Sequence, residues 1–243
     1  MKRITLIGGT GAMQVAPAER HIIHTVTTPY GEPSSPILEW QAGNSAFSFI
    51  SRHGLEGTIP PHRVNYKANV WAVRETRPDH VIGLNAVGGI DPEARPSCLI
   101  FPDQLVDYTW GREHTFADET HKPVKHIDFT VPVSSRLRHT LIEHARALGL
   151  DFLGEGTYGV TQGPRLETAA EINRLQRDGC HIVGMTAMPE AALARELGLD
   201  YVICAVVVNW AAGRGSAETN IHDEMQQYLD LGMRQVDPLL RAL

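Results

Sequence analysis

The sequence predicts an α/β fold: a single domain with a central mixed, mostly parallel sheet flanked by helices. Three observations carry that reading. Tyr201–Val208 is an unbroken apolar run of strand length, as expected where both faces of a sheet are covered. Arg3–Ile7 and Val81–Val87 are further apolar runs, each ending in glycines, at Gly8-Gly9 and Gly88-Gly89. Between such runs the apolar residues recur at helical spacing, and no repeat, low-complexity tract or composition break divides residues 1–243.

Taken in order, Arg3–Ile7 is the first strand and runs into Gly8-Gly9-Thr10-Gly11, a turn that needs permissive backbone. It is not a dinucleotide fingerprint, because Gly9-x-Gly11 is followed by Gln14 and not by glycine. Pro29–Pro36 is a turn-rich connection. Ile37–Trp40 and Phe47–Ile50 read as a hairpin across Gly43-Asn44, with Arg52-His53-Gly54 on the loop that follows. Pro60-Pro61 is expected to open a helix marked by Val64, Ala68, Trp71, Ala72 and Glu75. Leu99–Val106 reads as one strand broken by Pro102.

The stretch 109–125 is polar, with His114 and His121 in it and His126 just after. No metal-binding spacing supports a metal site there, so it reads as a mobile surface or subunit-contact loop. Leu137, Leu141, Ala145 and Leu148 mark a helix capped by Ser134 or Ser135 and closed by Gly149. Phe152–Gln162 is a strand region. Thr168–Arg177 is a helix in which Thr168 and Glu171 make a capping box. His181–Met185 is a strand, Pro189 opens a helix that Gly198 closes, and a long C-terminal helix follows from His222.

Composition narrows the function. A net charge of −6 with no basic run argues against nucleic acid as a partner. Cys98, Cys180 and Cys204 lie far apart and in no C-x-x-C pair, which favours buried thiols in a reducing compartment. The longest apolar run falls well short of the ~20 residues of a spanning helix, and Ile4–Ile7 is too short for a signal peptide. A cytoplasmic protein with no membrane partner is expected.

Several chemistries lack their anchor: there is no G-x-S-x-G elbow, and no cysteine has a base beside it in sequence. The remaining polar groups suit an anion. Thr10 lies on a glycine turn, Arg52-His53 at a strand end and Thr186 after a strand, where a guanidinium fork, hydroxyls and loop amides cradle oxygens. Each residue also has an ordinary reading. Glu190 suits a helix first turn, Glu167 a solvated position before a helix, Met185 a core and Asn209 a turn.

Seven segments together resemble the trimeric purine nucleoside phosphorylases, and within them the 5′-methylthioadenosine phosphorylase branch. They are GGTG at 8–11, RHG at 52–54, PPHRVNYKANVWA at 60–72, NAVGG at 85–89, GPRLET at 163–168, GMTAMPEAALARELGL at 184–199 and VVVN at 206–209. The resemblance implies one nucleoside phosphorylase-like domain over residues 1–243, forming a homotrimer. It implies reversible phosphorolysis of a purine nucleoside with inorganic phosphate as co-substrate, and no cofactor or metal. By the same resemblance Thr10, Arg52, His53, Thr186 and the backbone of Ala86 would hold phosphate. Met185 and Tyr158 would line the sugar, while Glu167, Asn209 and Ala211 would meet the base. His126 would belong to the segment that reaches a neighbouring subunit.

Two departures from the methylthioadenosine pattern are informative. That branch typically carries serine where Glu167 stands and aspartate where Asn209 stands. An ionised Glu167 is acceptor-only, so it matches the N1–H of a 6-oxopurine and repels the bare N1 of adenine. The scaffold of one branch with the base site of another implies S-methyl-5′-thioinosine as substrate. The 5′ end is read by Ile221, which suits a methylthio group, and His222, which suits a hydroxyl. Inosine or guanosine is therefore the alternative, with methylthioadenosine behind both. A nucleoside-binding protein without catalysis, or a hydrolase using water, are the readings from other classes.

Overall fold

One mixed sheet organises the chain. The computed structural model describes residues 1–17, 21–117, 124, 126–215 and 221–243, without the side chains of Thr10 and residues 221–224. In chain order the described elements begin with β1 (Lys2–Gly8), β2 (Ile22–His24), β3 (Ile37–Ala42), β4 (Ser45–Ser51) and α1 (Tyr66–Glu75). Then come β5 (His80–Gly89), β6 (Leu99–Ile100), β7 (Gln104–Asp107), α2 (Ser135–Ala147), β8 (Phe152–Leu153) and β9 (Thr157–Val160). The last are α3 (Ala169–Arg177), β10 (Ile182–Gly184), α4 (Glu190–Glu196), β11 (Tyr201–Trp210) and α5 (Ile221–Arg241). No helix among the described residues is long and apolar enough to cross a membrane.

β5 is the hub. The strand order along the sheet is β2-β3-β4-β1-β5-β10-β9-β7, while β11 lies on the other edge of β5 and carries β6 and then β8. β1 and β11 run parallel to β5, whereas β10 is antiparallel to it. Side chains of β11 alternate between two cores, as a strand covered on both faces must. Tyr201, Ile203, Ala205 and Val207 pack with α1 and α4 residues such as Val70 and Leu193. Val202, Cys204, Val206 and Val208 pack with Leu137 and Leu141 of α2 and Val236 and Leu239 of α5.

Local sequence explains most boundaries. Ser134 caps α2 by accepting from the Leu137 N–H, and Thr168 with Glu171 forms the full capping box of α3. Three boundaries differ from expectation. Pro61–Arg63 makes a single 3-10 turn, and α1 starts only at Tyr66, where the Asn65 side chain accepts from the Ala68 N–H. A side-chain cap there satisfies an orphan donor that the prolines leave open. The Leu99–Val106 run becomes two strands with different neighbours, because β6 pairs with β11 and β8 whereas β7 pairs with β9. β2, exposed along its length, carried no periodic signal.

The polar stretch after β7, expected as a mobile surface or subunit-contact loop, packs onto its own domain over the described part. Phe116 packs against Tyr30 and Trp71, its N–H meets the Glu196 carboxylate, and Arg112 is bound into the interior face. His121 lies outside the described residues.

Candidate active site

The sheet is split along one edge of β5, and the split makes a cavity. β1 accompanies that edge only as far as Ile7 opposite Gly83, and β10 takes it over at Val183 opposite Gly88. Across Leu84–Val87, β5 has β11 on its other edge alone. Backbone groups alternate between the two edges of a strand. The Val81 N–H donates toward β11, so Leu84 and Ala86 present theirs to the gap. Ala86 is accordingly the one exposed residue of β5. A cavity of about 320 Å³ fills the space.

Arg52 forms its floor. It leaves β4 fully buried, with Nε donating to Glu190 Oε2 at 2.6 Å and Nη2 to Glu190 Oε1 at 2.6 Å. Nη1 donates to the Leu84 carbonyl at 2.6 Å, so the backbone acceptor orphaned by the split is satisfied. Nη2 also reaches Asn85 Oδ1 at 3.4 Å. Tyr201 Oη donates to Glu190 Oε1 at 2.8 Å from β11. Burial alone would lower the guanidinium pKa, but the charge and hydrogen bonds of Glu190 outweigh it and raise the value, so Arg52 stays charged. The planar fork expected to face an anion is thus taken by Glu190. Arg52 still lines the cavity, and its second Nη1 hydrogen is the one these bonds leave over.

Donors and acceptors suited to an oxyanion line the same end. Asn85 Nδ2 donates to Thr186 Oγ1 at 2.8 Å, which leaves the Thr186 hydroxyl proton free to point elsewhere. His53 Nδ1 lies 2.8 Å from the Ile59 carbonyl. A carbonyl only accepts, so Nδ1 carries the proton and Nε2 of the neutral ring is an acceptor beside Gly9. Burial, with Arg52 adding to it, holds the His53 pKa below its ordinary value of 6.5.

The opposite end carries a carboxylate and an amide. Thr161 Oγ1, at the end of β9, donates to Glu167 Oε1 at 2.6 Å, leaving Oε2 unclaimed by that hydroxyl. Asn209 follows an irregularity in β11 between Val207 and Asn209, and its Nδ2 donates to the Trp210 carbonyl at 2.7 Å. Ala211 lies beside it on the wall. Met185 comes from the loop after β10. Its Sδ packs on Gly163, where an added Cβ would sit 2.4 Å from the sulfur and where φ is +61°. Only glycine meets both demands there. On the α5 side the wall is apolar, from Met225, Leu229 and Met233.

Arg52, His53, Ala86, Glu167, Met185, Thr186, Asn209 and Ala211 thus share one cavity. Tyr158 does not join them. It is fully buried in β9 behind Gly184, where a Cβ would meet its Oη at 2.3 Å, with Thr186 and Asn85 as the polar groups nearest that hydroxyl among the described residues. Burial pushes its pKa up to about 12. Tyr158, expected to line the sugar, is thus one layer behind the wall at Gly184 and not on it. His126 is exposed and away from this wall. Thr10 opens a 3-10 turn and Ile221 and His222 open α5, but their side chains lie outside the described residues.

Four contributors escaped the sequence reading: Asn85, Arg112, Thr161 and Tyr201. Asn85 sits in a segment singled out only for the Ala86 backbone. Tyr201 read simply as the start of an apolar strand. Arg112 has its partners far along the chain, at Tyr66, Thr161, Gln162, Met185 and Met188, whereas Thr161 takes Glu167 six positions on but carries no motif of its own.

An α/β sheet opened at its central strand, with anion-suited groups at one end of the gap and a carboxylate–amide pair at the other, defines a small-molecule enzyme site. The model of the phosphorylase superfamily matches residues 3–243, and the chain belongs to that superfamily. It is 45% identical over 240 residues to a probable S-methyl-5′-thioinosine phosphorylase of Xanthomonas campestris pv. campestris, covering 99% of this chain and 96% of the relative. It is 41% identical over 247 residues to the 6-oxopurine nucleoside phosphorylase of Pyrococcus furiosus, covering 100% and 92%. Among solved structures, methylthioadenosine phosphorylase from Schistosoma mansoni in complex with adenine superposes with a TM-score of 0.93 at 30% identity, covering 99% and 90%.

Two outcomes follow from the floor and the histidine. Glu190→Ala leaves the buried Arg52 charge without its partner and is expected to destabilise the fold by about 3–5 kcal/mol in urea denaturation. A loss below about 1 kcal/mol would show that the pair is not the floor's support. For His53 the folded pKa is depressed, so the unfolded chain binds the extra proton and stability falls as pH drops through 6.5. Sulfate, whose charge is constant from neutral to mildly acidic pH, should bind more tightly as pH falls below 6.5 and the imidazolium forms. The trend should vanish in His53→Asn, and a pH-independent wild type would contradict it.

Proposed function

We propose that this protein catalyses the reversible phosphorolysis of a 6-oxopurine nucleoside. The substrate of this reading is S-methyl-5′-thioinosine, which with phosphate gives hypoxanthine and 5-methylthioribose 1-phosphate, a purine salvage reaction. The observation that carries it is Glu167, held at one oxygen by Thr161, in the same cavity as the anion-suited edge of β5. Ionised, it can only accept, which suits the N1–H of hypoxanthine.

In this reading phosphate lies in the gap, with the Ala86 N–H, the Thr186 hydroxyl, the second Arg52 Nη1 hydrogen and His53 around it, and with the Thr10 turn closing over it. A phosphate oxygen attacks the anomeric carbon as the bond to purine N9 breaks. The sugar passes through an oxocarbenium-like state, and the electron pair leaves with the purine. Asn209 uses its second Nδ2 hydrogen at N7, where it stabilises the charge arriving on the base. No protein nucleophile, metal or cofactor takes part, because the co-substrate supplies the nucleophile and the chain supplies position and hydrogen bonds.

The apolar α5 wall of Met225, Leu229 and Met233 favours a methylthio group over a hydroxyl at the 5′ end. Ile221 and His222, at the start of the same helix, are the residues that decide it. The likeness to the Pyrococcus furiosus relative supports inosine or guanosine as the second reading. We further propose a cytoplasmic homotrimer in which the segment at His126 reaches the sugar end of a neighbouring subunit's cavity.

Phosphate-dependent base release tests the base assignment. Hypoxanthine should leave methylthioinosine with a kcat/KM about 10⁴-fold above that for adenine from methylthioadenosine. Glu167→Gln, which gives that position a donor, should narrow the ratio. Equal or faster release of adenine by the wild type would overturn the assignment.

A further inference from the structure

Arg112 lies outside the cavity wall, yet its guanidinium gathers more of the site's backbone than any wall residue among the described ones. Nη1 donates to the carbonyls of Met185 at 2.8 Å and Met188 at 2.6 Å, and approaches Tyr66 Oη at 3.3 Å. Nη2 donates to the carbonyls of Gln162 at 2.8 Å and Thr161 at 3.3 Å, while Nε donates to Gln162 Oε1 at 3.1 Å. The plane also lies 5.4 Å from the centre of the Tyr66 ring. None of these partners is a carboxylate.

Two loops meet on this one group. The loop after β9 holds Thr161, whose hydroxyl anchors Glu167 at the base end. The loop after β10 holds Met185 and Thr186, and Thr186 serves the anion end through Asn85. A third segment joins through Tyr66, whose hydroxyl donates to the carbonyl of the wall residue Pro61 at 3.0 Å. A guanidinium offers donors on two edges of one rigid plane, so it fixes the distance between carbonyls from separate loops. A lysine ammonium cannot span both.

We propose that Arg112 is a positioning residue that couples the base end of the cavity to the anion end. Ordering of the β10 loop by a bound anion is transmitted through Arg112 to the loop that carries Glu167. Anion and base therefore bind cooperatively, each tightening the other by the same factor, as linkage requires. The inference rests on the phosphorolysis proposed above for what the two ends bind. Its geometry does not.

The test measures hypoxanthine binding by calorimetry with and without saturating phosphate, in wild type, Arg112→Lys and Arg112→Ala. Phosphate should tighten hypoxanthine binding in the wild type. In both variants the two ligands should bind independently, and kcat/KM for methylthioinosine should fall about 100-fold, the scale of a misplaced but intact site. If Arg112→Ala fails to fold, Arg112→Lys carries the comparison, since it keeps the charge and loses only the fork. Coupling that survives in a folded variant, or a wild type without coupling, overturns the proposal. A wild type that couples the two ligands yet releases no hypoxanthine would remove the phosphorolysis reading and leave the coupling role standing.

Discussion

The buried ion pair between Arg52 and Glu190 is the constraint on which the site depends. A sheet opened along its central strand leaves backbone acceptors without partners, and an unsatisfied buried carbonyl is expensive. Arg52 resolves this at Leu84, and Glu190 makes it possible to bury the guanidinium at all. The pair also joins the end of β4, the middle of β5 and the start of α4, with Tyr201 adding β11. Four elements separated in sequence are thereby held around one gap. An arginine whose charge is balanced by a carboxylate also changes the electrostatics of that gap. With Glu190 beside it and His53 uncharged, what this end of the cavity offers an anion is aimed hydrogen-bond donors more than net positive charge.

The two ends of the cavity are built by the same rule. Each of the described polar side chains at the two ends has one of its groups committed to a neighbour, which fixes the orientation of what remains. Thr161 fixes Glu167, Asn85 fixes the Thr186 oxygen, the Trp210 carbonyl fixes the Asn209 amide and the Ile59 carbonyl fixes the His53 tautomer. Such preorganisation is what the proposed phosphorolysis requires, since in that reading position and hydrogen bonding are what the chain contributes.

Much of this was legible in the sequence wherever local chemistry decides the outcome. The apolar run of β11, the Gly43-Asn44 hairpin and the Thr168–Glu171 capping box each follow from residues within a few positions of one another. Arg52, His53, Ala86, Glu167, Met185, Thr186 and Asn209 were singled out for another reason, since they fall in segments that resemble a family as a whole. What the sequence hid is long-range. Arg112 bonds to groups about fifty to seventy-five positions away, and an arginine in a polar loop otherwise reads as solvated. Glu190 suited a helix first turn equally well, and only the fold brings Arg52 to it.

A crystal structure with hypoxanthine and sulfate together tests the account most directly. It predicts the anion in the gap beside β5, within hydrogen-bond distance of the Ala86 N–H and the Thr186 hydroxyl, with the Arg52–Glu190 pair intact. The base should lie between Glu167 and Asn209 with N1 on the carboxylate. An anion held by an Arg52 fork that has left Glu190, or a base bound away from Glu167, would contradict it.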